Sequence, residues 1–74
     1  MANTYHVKAT WDADAKVWVS SSDIPGLVIE TATLAEFEQL VRDLAPEMLA
    51  ENENVSGLVR VELEARAGFD LAVA

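Results

Sequence analysis

Apolar and polar residues alternate from Tyr5 to Trp11, with Tyr5, Val7, Ala9 and Trp11 on one side and His6, Lys8 and Thr10 on the other. A period of two marks a strand with one buried face. The segment Asp12-Ala13-Asp14-Ala15-Lys16 is polar and of hairpin length, and alternation resumes from Val17 to Ser22. Setting Trp11 opposite Val17 gathers Tyr5, Val7, Ala9, Trp11, Val17, Val19 and Ser21 on one face, and a slip of one residue scatters them. In that register Trp18 points to the other face, beside Thr10 and among Lys8, Ser20 and Ser22, where only another surface can cover it.

Pro25-Gly26 ends the second strand, because proline lacks a ladder donor and glycine accepts positive φ. Leu27 to Ala32 then reads as a third strand, with Leu27 and Ile29 toward the core. Thr33 is a suitable N-cap and Glu36 stands three residues on, so Thr33-Leu34-Ala35-Glu36 predicts a reciprocal capping box worth about 1 kcal/mol. The helix is expected to run to about Asn52. Leu34, Phe37, Val41, Leu44 and Met48 form its apolar stripe, flanked by Leu40, Ala45 and Leu49. Glu36, Glu38, Arg42, Asp43, Glu47 and Glu51 fall mostly on the solvent side. Pro46 removes a helical hydrogen bond and predicts a kink or two abutting segments.

A polar loop, Asn52 to Gly57, follows; its Asn54-Val55-Ser56 is a chance sequon in a chain without a secretory signal. Leu58 to Ala65 alternates again, with Val59, Val61 and Leu63 inward and Arg60, Glu62 and Glu64 outward. Arg66-Ala67-Gly68 reads as a turn, after which Phe69, Leu71 and Val73 alternate in a segment too apolar for a loose tail. The order β-β-β-α-β, with a possible further C-terminal strand, makes residues 1–74 a single α+β domain in two layers, one helix over one face of a mostly antiparallel sheet. Trp18, Val28, Phe69, Leu71 and Val73 are left without cover and are the candidate interface residues. The last segment is suited to adding to a neighbour's sheet edge.

Composition narrows the chemistry. A chain of 74 residues builds a marginal core, and small domains recover stability from disulfides, metals or oligomerisation. There is no cysteine and a single histidine, His6, so oligomerisation is the expected route and no metal or cofactor is expected. Asp12 and Asp14 lack the ligand count and glycine of a calcium loop. Ser20, Ser21 and Ser22 have no nucleophile-elbow glycines, and no phosphate-cradling loop is present, so an enzyme is not expected. Thirteen acidic against five basic residues give a net charge of −8, which disfavours direct nucleic-acid binding and either attracts a basic partner or simply keeps the protein soluble. Neither a signal sequence nor an apolar run of membrane-spanning length is seen, and a cytoplasmic location is expected.

The chain resembles the HicB-like antitoxin family, in particular its short members of unknown function. The resemblance rests on Trp11-Asp12 entering the hairpin, Val17-Trp18-Val19, Ile24-Pro25-Gly26-Leu27, Thr33-x-x-Glu36 and Arg42-Asp43-Leu44 leading to Pro46-Glu47. It covers roughly Tyr5 to Asn52, with Leu58 to Ala65 fitting as the last strand. It implies a partial RNase H-like fold with a fourth strand returning beside the first, dimers or tetramers, and no nuclease activity. It also implies a partner: HicB antitoxins occlude HicA, a small basic ribonuclease toxin. The chain has Leu27 where many antitoxins carry cysteine, and no DNA-binding segment follows Ala74, so DNA binding is not carried over. Two functions are therefore expected as alternatives: an antitoxin-like protein that captures a small basic partner, or a stand-alone homo-oligomeric scaffold.

Overall fold

The computed structural model describes residues 4–74. Its elements are β1 (Thr4–Asp12), β2 (Val17–Ser22), β3 (Glu30–Thr31), α1 (Leu34–Asn52) and β4 (Arg60–Arg66). They form the expected β-β-β-α-β arrangement, a four-stranded sheet in the order β3-β2-β1-β4 with one helix. β1 pairs antiparallel with β2 and parallel with β4, so the fourth strand does return beside the first.

The hairpin register differs from expectation by one residue. Trp11 faces Trp18 and Asp12 faces Val17, which puts Trp18, Ser20 and Ser22 on the same face as Val7 and Ala9. The loop decides this. Asp12 Oδ1 accepts from the backbone N–H of Asp14 and Ala15 at 3.0 and 3.2 Å, Lys16 N–H returns to the Asp12 carbonyl at 2.7 Å, and Lys16 reverses the chain at φ +59°. The loop thus holds four residues between a closing Asp12–Val17 pair. Trp18 is half-buried against the core and stacks on Trp11, ring centroids 5.2 Å apart at 55°. A tilted pair of this kind adds about 0.5–1.5 kcal/mol beyond its burial.

The third strand is two residues long where six were expected. The Ser20 hydroxyl accepts from Ile29 N–H at 2.8 Å, while Ser20 N–H donates to the Ile29 carbonyl at 3.0 Å. A side chain replaces the next rung of the ladder, and regular pairing begins only at Glu30. Ser22 works similarly, accepting from Ile24 N–H and donating to the His6 carbonyl, both at 2.9 Å. Between these brackets, Ile24 to Leu27 form a turn closed by Leu27 N–H to the Ile24 carbonyl at 3.2 Å, with Pro25 at its second position and Gly26 at φ +80°. Ile24, Leu27 and Ile29 are all buried.

Helix α1 is one continuous element through the exposed Pro46, not two segments. Its cap differs in detail from a reciprocal box. Thr33 Oγ1 accepts from Glu36 N–H at 3.1 Å, but its hydroxyl donates to Glu36 Oε1 at 2.9 Å, so the carboxylate is bound to a side chain. The buried line is Phe37, Val41, Ala45 and Leu49, and Leu34 at the edge of the expected stripe is exposed. These four residues meet Val7, Ala9, Ile24, Leu27 and Ile29, and Phe37 is fully enclosed. At the far end Glu53 N–H and Val55 N–H both donate to the Leu49 carbonyl, and Asn54 turns the chain at φ +51°.

Two further expectations change at the C-terminus. β4 spans Arg60–Arg66, shifted from Leu58–Ala65, and residues 67–74 form no strand. Thr10 pairs with Arg66, so only Trp11 and Asp12 of β1 extend beyond that rung to support a continuation. The molecule is accordingly long, 54 × 22 × 17 Å. Its radius of gyration is 14.4 Å, against about 11 Å for a compact chain of this length.

A Cβ at Gly26 would lie 3.1 Å from Met48 Sδ and 3.5 Å from Asn52 Nδ2, and Asn52 Nδ2 donates to the Pro25 carbonyl at 3.3 Å. Gly26→Ala should therefore cost about 1–2 kcal/mol from its φ alone, plus displacement of the last helical turn. Urea denaturation measures it; a midpoint equal to wild type would show that the turn does not hold the helix end.

Candidate functional site

Each face of the sheet carries a depression. On the face away from the helix, His6, Lys8, Ser21, Asp23, Glu62 and Glu64 border an open cleft of about 440 Å³. β1 and β4 set His6 beside Glu62 and Lys8 beside Glu64. Asp23, just past β2, accepts the His6 backbone N–H at Oδ1 (2.8 Å), and its Oδ2 lies 3.2 Å from His6 Nδ1. The His6 backbone hydrogen bond is the main reason the Asp23 carboxyl sits below its ordinary range; desolvation opposes this, and the His6 ring adds to it. The Ser22 hydroxyl donates to the His6 backbone carbonyl and not to its ring, so these three residues form a structural clasp between β1 and the end of β2. Among the described residues, no group of three or more His, Asp or Glu side chains converges as a metal site.

The second depression is larger and apolar. It is a groove of about 890 Å³ between α1 and β4, with Val41, Ala45 and Leu49 on the helical wall and Val59, Val61 and Leu63 on the floor. β4 points Val61, Leu63 and Ala65 to the helix side, in line with Tyr5, Val7 and Ala9 of β1. The helix covers the other strands and leaves β4 open: Val61 is only half-buried, Leu63 is 38% exposed and Ala65 is exposed. The cause is geometric. A helix about 10 Å across cannot roof four strands set about 4.8 Å apart.

The candidate interface residues separate into three places. Trp18 lies on the helix face beside Trp11, which removes the reason for expecting it to be bare on the opposite face. Val28, 83% exposed, lies in the loop before β3. Phe69, Leu71 and Val73, at 86, 75 and 86% exposure, line the segment past β4. The groove itself is not among the expected surfaces, although the count of four strands against one helix points to it. Leu58, fully exposed at its lip, lies outside the strand expected to contain it.

Residues 4–71 match the domain of unknown function DUF1902. The chain belongs to that family. Among solved structures it is similar to the crystal structure of hypothetical protein TTHA1013 from the extremely thermophilic bacterium Thermus thermophilus, 42% identical. That likeness covers 96% of this chain and 100% of the other, with a TM-score of 0.71. No curated protein matches the chain. No helix among the described residues of this DUF1902 member is long and apolar enough to cross a membrane.

The Asp23 clasp gives a pH signature. A carboxylate whose folded pKa is depressed contributes stability above its unfolded pKa and loses it as pH falls through the folded value. Asp23→Asn keeps an acceptor for His6 N–H but removes the titration. The variant should therefore lose less stability than wild type as pH falls below about 4. Urea midpoints across that range check it, and parallel curves would exclude the clasp as a source of acid sensitivity.

Proposed function

We propose that this DUF1902 domain is a non-enzymatic, HicB-like protein-interaction domain that captures a small basic protein, as a HicB antitoxin occludes a HicA-type ribonuclease toxin. The observation that carries this reading is the solvent face of α1. Glu36, Glu38, Asp43, Glu47 and Glu51 are all exposed there, followed by Glu53 at the C-cap. The helix has a single basic residue, Arg42, tied to Glu38 at 2.9 Å.

The last turn strengthens the argument. It holds no basic residue, while Glu51 within it and Glu53 at the C-cap stand where the backbone dipole is negative. Each such carboxylate costs a free helix about 0.3–1 kcal/mol. Charges placed against stability at an exposed position are what a cationic partner would offset, and the net charge of −8 would speed its arrival. The resemblance in residues 5–52 to HicB-like sequences supports the same class of partner.

The test uses Glu47→Gln, Glu51→Gln and Glu53→Gln combined. The triple variant should be more stable than wild type by about 1 kcal/mol, from the two carboxylates at the helix end. It should also bind a small basic HicA-type ribonuclease at least tenfold more weakly and with a shallower salt dependence, read by calorimetry and by arrest of RNA cleavage. A wild-type protein that neither binds such a ribonuclease at micromolar concentration nor arrests it would end this reading.

A further inference from the structure

The groove beside β4 has a roof and a floor but no outer wall, because β4 is an edge strand whose far side pairs with nothing among the described residues. The segment that leaves β4 is the most apolar exposed part of the chain. Residues 67–74 carry one charge, Asp70, in a protein of net charge −8. Phe69, Leu71 and Val73 continue the odd-numbered alternation of Val61, Leu63 and Ala65, which face the groove. Yet this arm runs on past the end of β1, away from its own groove. An arm that cannot wall its own groove can wall another's.

We propose that two copies pair their β4 edges antiparallel about a twofold axis at Ala65, each arm closing the other's groove. The register follows from the side chains. Directly opposed residues share a face, so the apolar odd positions stay together only if the axis passes through a residue and not between two. With Ala65 opposite its counterpart, Phe69 faces Val61 and Leu71 faces Val59 of the second copy, on the helix side. On the other face Arg66 meets Glu64 and Asp70 meets Arg60 of the second copy, an opposite-charge pair at both places. Moving the axis to Arg66 opposes arginine to arginine and Glu62 to Asp70. Moving it to Glu64 keeps one opposite-charge pair, Glu62 with Arg66, but opposes glutamate to glutamate and leaves Arg60 facing Gly68. Charge therefore selects Ala65. Arg60 is available for this contact, since it is largely exposed and reaches Glu62 only at 4.0 Å.

The assembly uses the β4 edge and the arm, whereas partner capture was argued from the outer face of α1, so the two can fail separately. Sedimentation of the full chain should show a dimer at micromolar concentration. Phe69→Asp should weaken it by about tenfold or more, with the near-ultraviolet circular dichroism of the Trp11–Trp18 pair unchanged as proof of folding. Asp70→Arg should weaken it too, and Asp70→Arg combined with Arg60→Asp should restore it. The chain has no cysteine, so Ala65→Cys should cross-link to itself on mild oxidation while Leu63→Cys, opposite Ala67, should not. A monomeric wild type would overturn the proposal. So would a dimer indifferent to Phe69→Asp, or one that Ala65→Cys cannot cross-link.

Discussion

Asp12 folds its carboxylate onto the N–H groups of Asp14 and Ala15 while Lys16 takes a left-handed conformation, and the arrangement of every other layer depends on that loop. A side chain in a strand belongs to one face or the other, so the loop's length assigns the whole of β2. It sends Trp18, Ser20 and Ser22 toward the helix and Val17 and Val19 away from it. The inward serines then bind Ile29 and Ile24, which shortens β3 and seats the Pro25-Gly26 turn under the end of α1. The turn, in turn, fixes where the helix lies. A helix seated over β3, β2 and β1 cannot also cover β4, and the groove is the result.

Much of this is legible in the chain. The alternation of Tyr5 to Trp11 marks β1 and the face that carries Val7 and Ala9, and Thr33 with Glu36 marks the helix start within a residue. What misleads is a preference for collecting apolar residues. Placing Val17 and Val19 inward buries more hydrophobic surface on paper than Trp18 with two serines. The serines are inward because their hydroxyls satisfy loop backbone, a need that hydrophobic patterning does not register. The same omission lengthens β3, since Leu27 to Ala32 has strand composition and nothing in it announces that Ser20 will intercept Ile29.

The candidate surfaces are legible unevenly. Phe69, Leu71 and Val73 are exposed past β4, as the apolar alternation that leaves them without cover in the sequence leads one to expect. Trp18 departs from expectation, because its expected exposure follows from the wrong register. Four strands against one helix leave some strand uncovered, but that the strand is β4 follows only from where the helix sits, which depends on the Gly26 turn against Met48 and Asn52, a contact between residues far apart in sequence.

The Ser20–Ile29 bracket has one more consequence. A β-sheet with two open edges can add copies at both, and nothing then limits its growth. Among the described residues, β3 is two residues long, its ladder to β2 cut short where the Ser20 hydroxyl takes the Ile29 N–H, and β4 is the edge long enough to template another strand. A twofold pairing there consumes that edge in both molecules at once. By keeping β3 short, the small hydroxyl of Ser20 thereby favours the proposed closed pair over open-ended growth.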